Sequence, residues 1–187
     1  MRTLSLSWLF LIASVLNGQD ASLLPGLRSD LIKAKNDTVR ADVLARICFN
    51  LIRIDPDSAR SVGEHALALA KRIDNPRALG DAHNNLGWLA AEQGQFDRAD
   101  SLLNIALERF RRMGDPVYTS VVLSNLGWLA EKRGDSVRSV DLFQQALRLS
   151  EQARDTASSS ILLYSLGVAY RKISEYEESI SYLQRSV

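Results

Sequence analysis

One cysteine, Cys48, occurs in 187 residues, so the chain can form no internal disulfide and its stability rests on packing. There are only two histidines, His65 and His83, and neither stands in a cysteine or carboxylate cluster at metal-ligand spacing. The ten glycines are dispersed, which argues against a phosphate-cradling loop. Neither sign of charge is in excess. With 23 basic and 22 acidic residues the net charge is +1, and no global electrostatic reason exists for nucleic acid or an anionic membrane as partner. Catalytic carboxylate pairs are missing too, since Asp55, Asp57 and Glu64 stand at a turn and the helix start that follows it. The densest basic spot, Arg109, Arg111 and Arg112, reads as solvated helix surface. These absences point away from an enzyme, a cofactor, a metal and a small-molecule substrate.

Long apolar runs are scarce as well. One exists, LSLSWLFLIASVL at 4–16, and its 13 residues fall well short of a ~30 Å bilayer core at ~1.5 Å per residue. Met1-Arg2 precedes it and NGQD follows, so residues 1–19 read as a secretory signal removed near Gln19. The mature chain is then expected in the periplasm or outside the cell. Residues 20–36 form a leader, with a short helix expected over about 27–35 (LRSDLIKAK).

What is present is a repeat. The hexapeptide NLGWLA stands at 85–90 and again at 125–130, and SLG follows at 165–167. In the same 40-residue register Ala66-Leu67, Ala106-Leu107 and Ala146-Leu147 coincide, as do Ala59, Ala99, Ser139 and Ser179. The first unit slips by one, with Ile47-Cys48 standing 39 residues before Leu86-Gly87, because its turn, RIDPDSA, is one residue shorter than EQGQFDRA. Four units result, 37–74, 75–114, 115–154 and 155–187, the last ending before its second helix is complete. Each opens with an N-cap oxygen followed by Pro or Thr (NDT, DNP, GDP, RDT). Gly94 and Gly134 can break the middle of units two and three in the left-handed conformation. Apolar residues in FDRADSLLNIALERFRRM recur at three and four, and no strand signal competes. The expectation is an all-α chain of helical hairpins.

Leu86-Gly87 with Ala99 and Ala106, Leu126-Gly127 with Ala146, and Leu166-Gly167 with Tyr170 resemble the tetratricopeptide (TPR) signature, in a longer variety of about 40 residues. The resemblance implies a solenoid, wound as a right-handed superhelix. Gly87, Gly127, Gly167 and Cys48 are expected where the two helices of a unit cross closest, with Ala99 and Ala106 as their counterparts on the facing helix. It also implies that first helices line a concave, ligand-facing wall. Carried onto this chain, the wall comprises Phe49, Asn84, Asn85, Trp88, Ser124, Asn125, Trp128, Tyr164 and Val168; the alternative for Trp88 and Trp128 is that they fill the gap between neighbouring first helices. Aromatic rings with amides between them suit an extended peptide or protein segment. Members that grip a C-terminal carboxylate carry Lys, Asn and Arg where this chain has Ala45, Phe49, Val121 and Asn125, so that clamp is absent.

A signal, a short helix, AKNDTVRADVLARI and the DPDSA turn are similar to the extracytoplasmic start of bacterial membrane sensors. That resemblance implies an alternative, the input region of a receptor whose membrane and output parts are not in this chain. The last helix, EYEESISYLQRSV, leaves Ile180, Leu183 and Val187 as an apolar strip without a capping helix, a face for self-association.

Overall fold

In the computed structural model, residues 21–186 are described; the signal peptide reading and Val187 lie outside them. A single 3-10 turn, Ala21–Leu23, leads into nine α-helices among the described residues, and no strand occurs there. They are α1 (Leu24–Lys33), α2 (Asp37–Leu51), α3 (Pro56–Arg72), α4 (Pro76–Glu92), α5 (Phe96–Met113), α6 (Pro116–Lys132), α7 (Ser136–Gln152), α8 (Thr156–Lys172) and α9 (Tyr176–Arg185). Helix α1 starts three residues before the sequence expectation, because Pro25 sits in its first turn, where a missing N–H costs nothing.

The chemistry of the helix starts is uniform. Asn36, Asn75, Asp115 and Asp155 each accept the N–H three residues on, at 2.9, 3.0, 3.1 and 3.1 Å, capping α2, α4, α6 and α8. Asp55 and Asp135 do the same for α3 and α7. The helix ends are equally regular. At six turns the chain reverses through one left-handed residue: Asp74, Gly94, Gly114, Arg154, Ser174 and Gly134 have φ between 47° and 81°. The next N–H then reaches back five residues, as in Asn75 to Ala70 and Asp135 to Ala130. The turn after α2 differs. Asp55 N–H returns four residues, to Leu51, and no left-handed residue is used. That tighter closure is the physical form of the one-residue slip.

The chain divides into two compact units, up to Asn85 and from Leu86, a boundary inside α4. In the first, Ala41 and Leu44 of α2, Ala66, Leu69 and Ala70 of α3, and Ala78, Leu79 and Ala82 of α4 make one core, with Leu31 of α1 packed on it. In the second, α5 packs on α6, α6 on α7, α7 on α8 and α8 on α9. Phe110, Leu103, Phe143 and Leu166 are fully enclosed.

The glycines of the hairpins meet large side chains of the facing helix. A Cβ on Gly87 would stand 2.9 Å from Leu103 Cγ, one on Gly127 2.6 Å from Phe143 Cε1, and one on Gly167 2.5 Å from Leu183 Cγ. Ala99, Ala106 and Ala146 are fully buried but flank this contact one turn away. In the first hairpin the sizes trade places. Cys48 holds the glycine position of α2, and the position of Leu103, Phe143 and Leu183 is Gly63 in α3, also buried. The buried Cys48 donates its S–H to Ala59 O at 3.2 Å.

Candidate functional site

Helices α6 and α8 lie side by side in the second unit, and both are first helices of their repeats. Apolar residues on α6 recur as Val117, Val121 and Trp128, and on α8 as Ile161, Tyr164 and Val168, spacings of three, four and seven that keep each set on one face. Much of this face stays in water. Val121 keeps 38%, Ile161 37% and Tyr164 43% of its surface, while Ser124, Asn125, Trp128 and Val168 are half-buried. The two stripes share the 40-residue register, Val121 with Ile161, Ser124 with Tyr164 and Trp128 with Val168. An apolar strip two helices wide results. Asn125 is the amide on it.

Trp128 has a second attachment. Its ring meets Phe143 edge-on at 5.5 Å and 72°, the same Phe143 that occupies the space over Gly127. One side of the indole is therefore fixed by the hairpin beneath it, and the half-exposed remainder faces out. At the C-terminal end of the strip Lys132 pairs with Glu92 at 3.6 Å, and Lys172 pairs with Glu131. Glu131 also accepts from Ser139 Oγ at 2.8 Å. These pairs join an acid of one repeat to a base of the next, as do Asp97–Arg133, Asp100–Arg138 and Glu151–Arg185.

The remaining wall residues have other surroundings. Trp88 is buried, with 6% exposure, and so is Asn85 with 7%. The Asn85 amide donates to Ala45 O at 2.8 Å, tying α4 to α2, so it is spent on the chain's own backbone. A helical wheel marks the polar stripe but not how near the next helix stands, which is why these two residues looked open in the sequence. Phe49 and Asn84, in the first unit, are half-buried. Val121 and Ile161 were missing from the expected wall; their mutual register was the signal that identifies them.

Burial pushes the Cys48 thiol up to about 12, far from the reactive range. His83 is buried with Nδ1 2.6 Å from Leu79 O, and His65 is exposed. Among the described residues no three His, Cys, Asp or Glu side chains gather as metal ligands, and no helix is long and apolar enough to cross a membrane.

A family model, the tetratricopeptide repeat, matches residues 91–152 and 118–187. Among solved structures, BtubC (BKLC) from P. vanneervenii superposes with a TM-score of 0.70 at 21% identity, over 86% of this chain and 68% of that one. A Rap protein complexed with Competence and Sporulation Factor gives 0.79 at 16%, over 85% of this chain and 45% of that one. This chain thus spans less than half of the Rap protein's length. At such identities the likeness is one of fold. No curated protein matches the sequence.

Proposed function

The chain belongs to the tetratricopeptide-repeat family, helical-repeat scaffolds for protein interaction, and from that premise we propose that it captures an extended protein segment along the first helices of its second unit. The observation that carries this reading is the exposed strip of Val121, Ile161 and Tyr164 beside the half-exposed Trp128 and Val168. Five apolar side chains side by side on two adjacent helices form more than the scattered apolar surface any protein has. The solved Rap protein is a complex with Competence and Sporulation Factor, and a comparable mode of capture suits this strip. The scaffold has no catalysis of its own, and neither nucleic acid nor a small-molecule substrate is its partner.

The test starts from peptides selected out of a random library by the wild-type chain. Tyr164→Ala with Val121→Asp is expected to weaken the selected binders at least roughly tenfold, while changing stability by less than ~1 kcal/mol, since both side chains are substantially exposed. Trp128→Ala is expected to lose binding and also ~2 kcal/mol of stability, through its contact with Phe143. Undiminished binding by the Tyr164/Val121 variant would remove the strip from consideration.

Export through cleavage near Gln19 belongs to the same proposal and rests on the apolar run at 4–16. Within it the scaffold acts in the periplasm or outside the cell, and the sensory-input alternative stays attached to that location. Of the strip expected for self-association, Ile180 is 56% exposed, Leu183 is half-buried over Gly167 in its own hairpin, and Val187 lies outside the described residues. The face offered is thus Ile180 with the neighbouring Tyr176, 61% exposed, which sedimentation of an Ile180→Asp variant against the wild type would read.

A further inference from the structure

A cleft of about 490 Å³ opens among α5, α6 and α7, lined by Arg111, Thr119, Leu123, Arg148, Leu149 and others. It is separate from the apolar strip. At about 100° per residue, Thr119 and Leu123 stand roughly 160° around α6 from Val121. Its walls carry two guanidinium groups on different helices, Arg111 from α5 and Arg148 from α7, and both side chains are exposed. Neither makes a hydrogen bond or ion pair with the described residues. Neighbouring arginines are engaged: Arg98 with Gln95, Arg112 with Glu108, Arg138 with Asp100 and Arg185 with Glu151. Glu108, Asp100 and Glu151 are thus engaged with other arginines. Asp115, at the cleft's edge, caps α6 through Tyr118 N–H. Arg111, in the last turn of α5, benefits from the helix dipole, but Arg148 sits within α7 and has no such local reason.

We propose that this cleft binds a glutamate- or aspartate-bearing segment of a partner protein, held by Arg111 and Arg148 across an apolar floor. The floor favours a side chain with a methylene stem, because the buried Leu123 and half-buried Leu149 line the same cleft as the two arginines. Each planar guanidinium can take a carboxylate through two parallel hydrogen bonds. A free phosphate fits less well. Phosphate sites draw on backbone N–H groups at a helix start. Here Pro116 has none, and those of Tyr118 and Thr119 are taken by Asp115. This surface is independent of the strip on α6 and α8, and a partner could touch both.

The experiment is a titration of the full, isotopically labelled chain with a capped oligoglutamate peptide at low salt, followed by NMR. Expected are shifts of the Arg111 and Arg148 side-chain N–H signals and of backbone signals over 114–123 and 145–152. Arg111→Gln with Arg148→Gln should weaken the peptide roughly tenfold, whereas Arg112→Gln should not. Arg111→Glu with Arg148→Glu should transfer the preference to oligolysine. Circular dichroism of each variant checks that it is folded. Shifts spread evenly over all exposed arginines, or an unchanged affinity in the double glutamine variant, would overturn the proposal. Inorganic phosphate binding the cleft more tightly than the peptide would overturn it as well, in favour of a small-anion site.

Discussion

At the scale of single residues, the hairpins are decided by where a side chain is omitted. Gly127 has the Phe143 ring within 2.6 Å of the place a Cβ would take, and that ring is itself fully buried against the hairpin. An aromatic ring has no flexible end to swing away, so Gly127→Ala is expected to cost ~1–3 kcal/mol, measured by urea unfolding. Gly87→Ala meets Leu103 at 2.9 Å and should cost less, because the leucine can turn. Cys48 is the counterpart in the first hairpin, and its burial has a pH signature. Unfolded, its thiol ionises near ~8.5, and folded at about 12. The contribution is therefore whole below ~8.5 and lost as pH rises toward 12, at ~1.4 kcal/mol per unit. Compared with Cys48→Ala, the wild type is expected to lose ~1 kcal/mol more stability between pH 8 and 9.5. An identical pH slope in the two proteins would contradict the burial argument.

At the scale of elements, the turns matter more than helix propensity. Six reversals use a left-handed residue, and three of them place Asp74, Arg154 and Ser174 where Gly114, Gly94 and Gly134 show the unstrained choice. Arg154 has φ 56° and precedes the Asp155 cap of α8. Arg154→Gly is expected to gain ~0.5–1 kcal/mol, since relief of the left-handed backbone exceeds the added freedom of the unfolded chain. Thermal unfolding reads this as a rise of a few degrees; a fall would mean that the arginine side chain contributes more than its backbone costs. The carboxyl of Asp155 is held below the usual range by the hydroxyl and then the backbone N–H of Ser158. Its cap is fully present above ~3.9 and fades as pH falls below that value. These caps and turns could be read from NDT, DNP, GDP and RDT, because each acts within five residues of itself. The large side chain over each glycine was less legible: Leu103, Phe143 and Leu183 lie 16 residues on, across the turn.

At the scale of the whole molecule, the second unit is a stack in which each repeat holds the next through apolar contacts and a one-directional series of ion pairs. Mostly exposed, such pairs add ~0–1 kcal/mol each, but they fix which face of a repeat accepts its successor. The N-terminus has its own prediction. If residues 1–19 are a signal, the native protein isolated from its source should have the mass of a chain starting near Asp20, and an intact Met1 terminus would count against export.

Sequence by itself determined the helices, their four-fold recurrence, the N-caps, the hairpin turns and the family, because a period of 40 is a property of spelling. It also determined that Tyr164 and Val168 share a face with each other, as Ser124 and Trp128 do. Only the tertiary structure decided which of those faces stay in water. Trp88 and Trp128 have the same six-letter surroundings, yet one is buried and the other half-exposed against Phe143. Likewise, nothing in the spelling of Arg111 and Arg148, 37 residues apart, says that they wall one cleft and leave their charges unpaired among the described residues. Exposure and charge pairing depend on the distance to a neighbouring helix. That distance is set by side chains elsewhere in the chain, and no single repeat contains it.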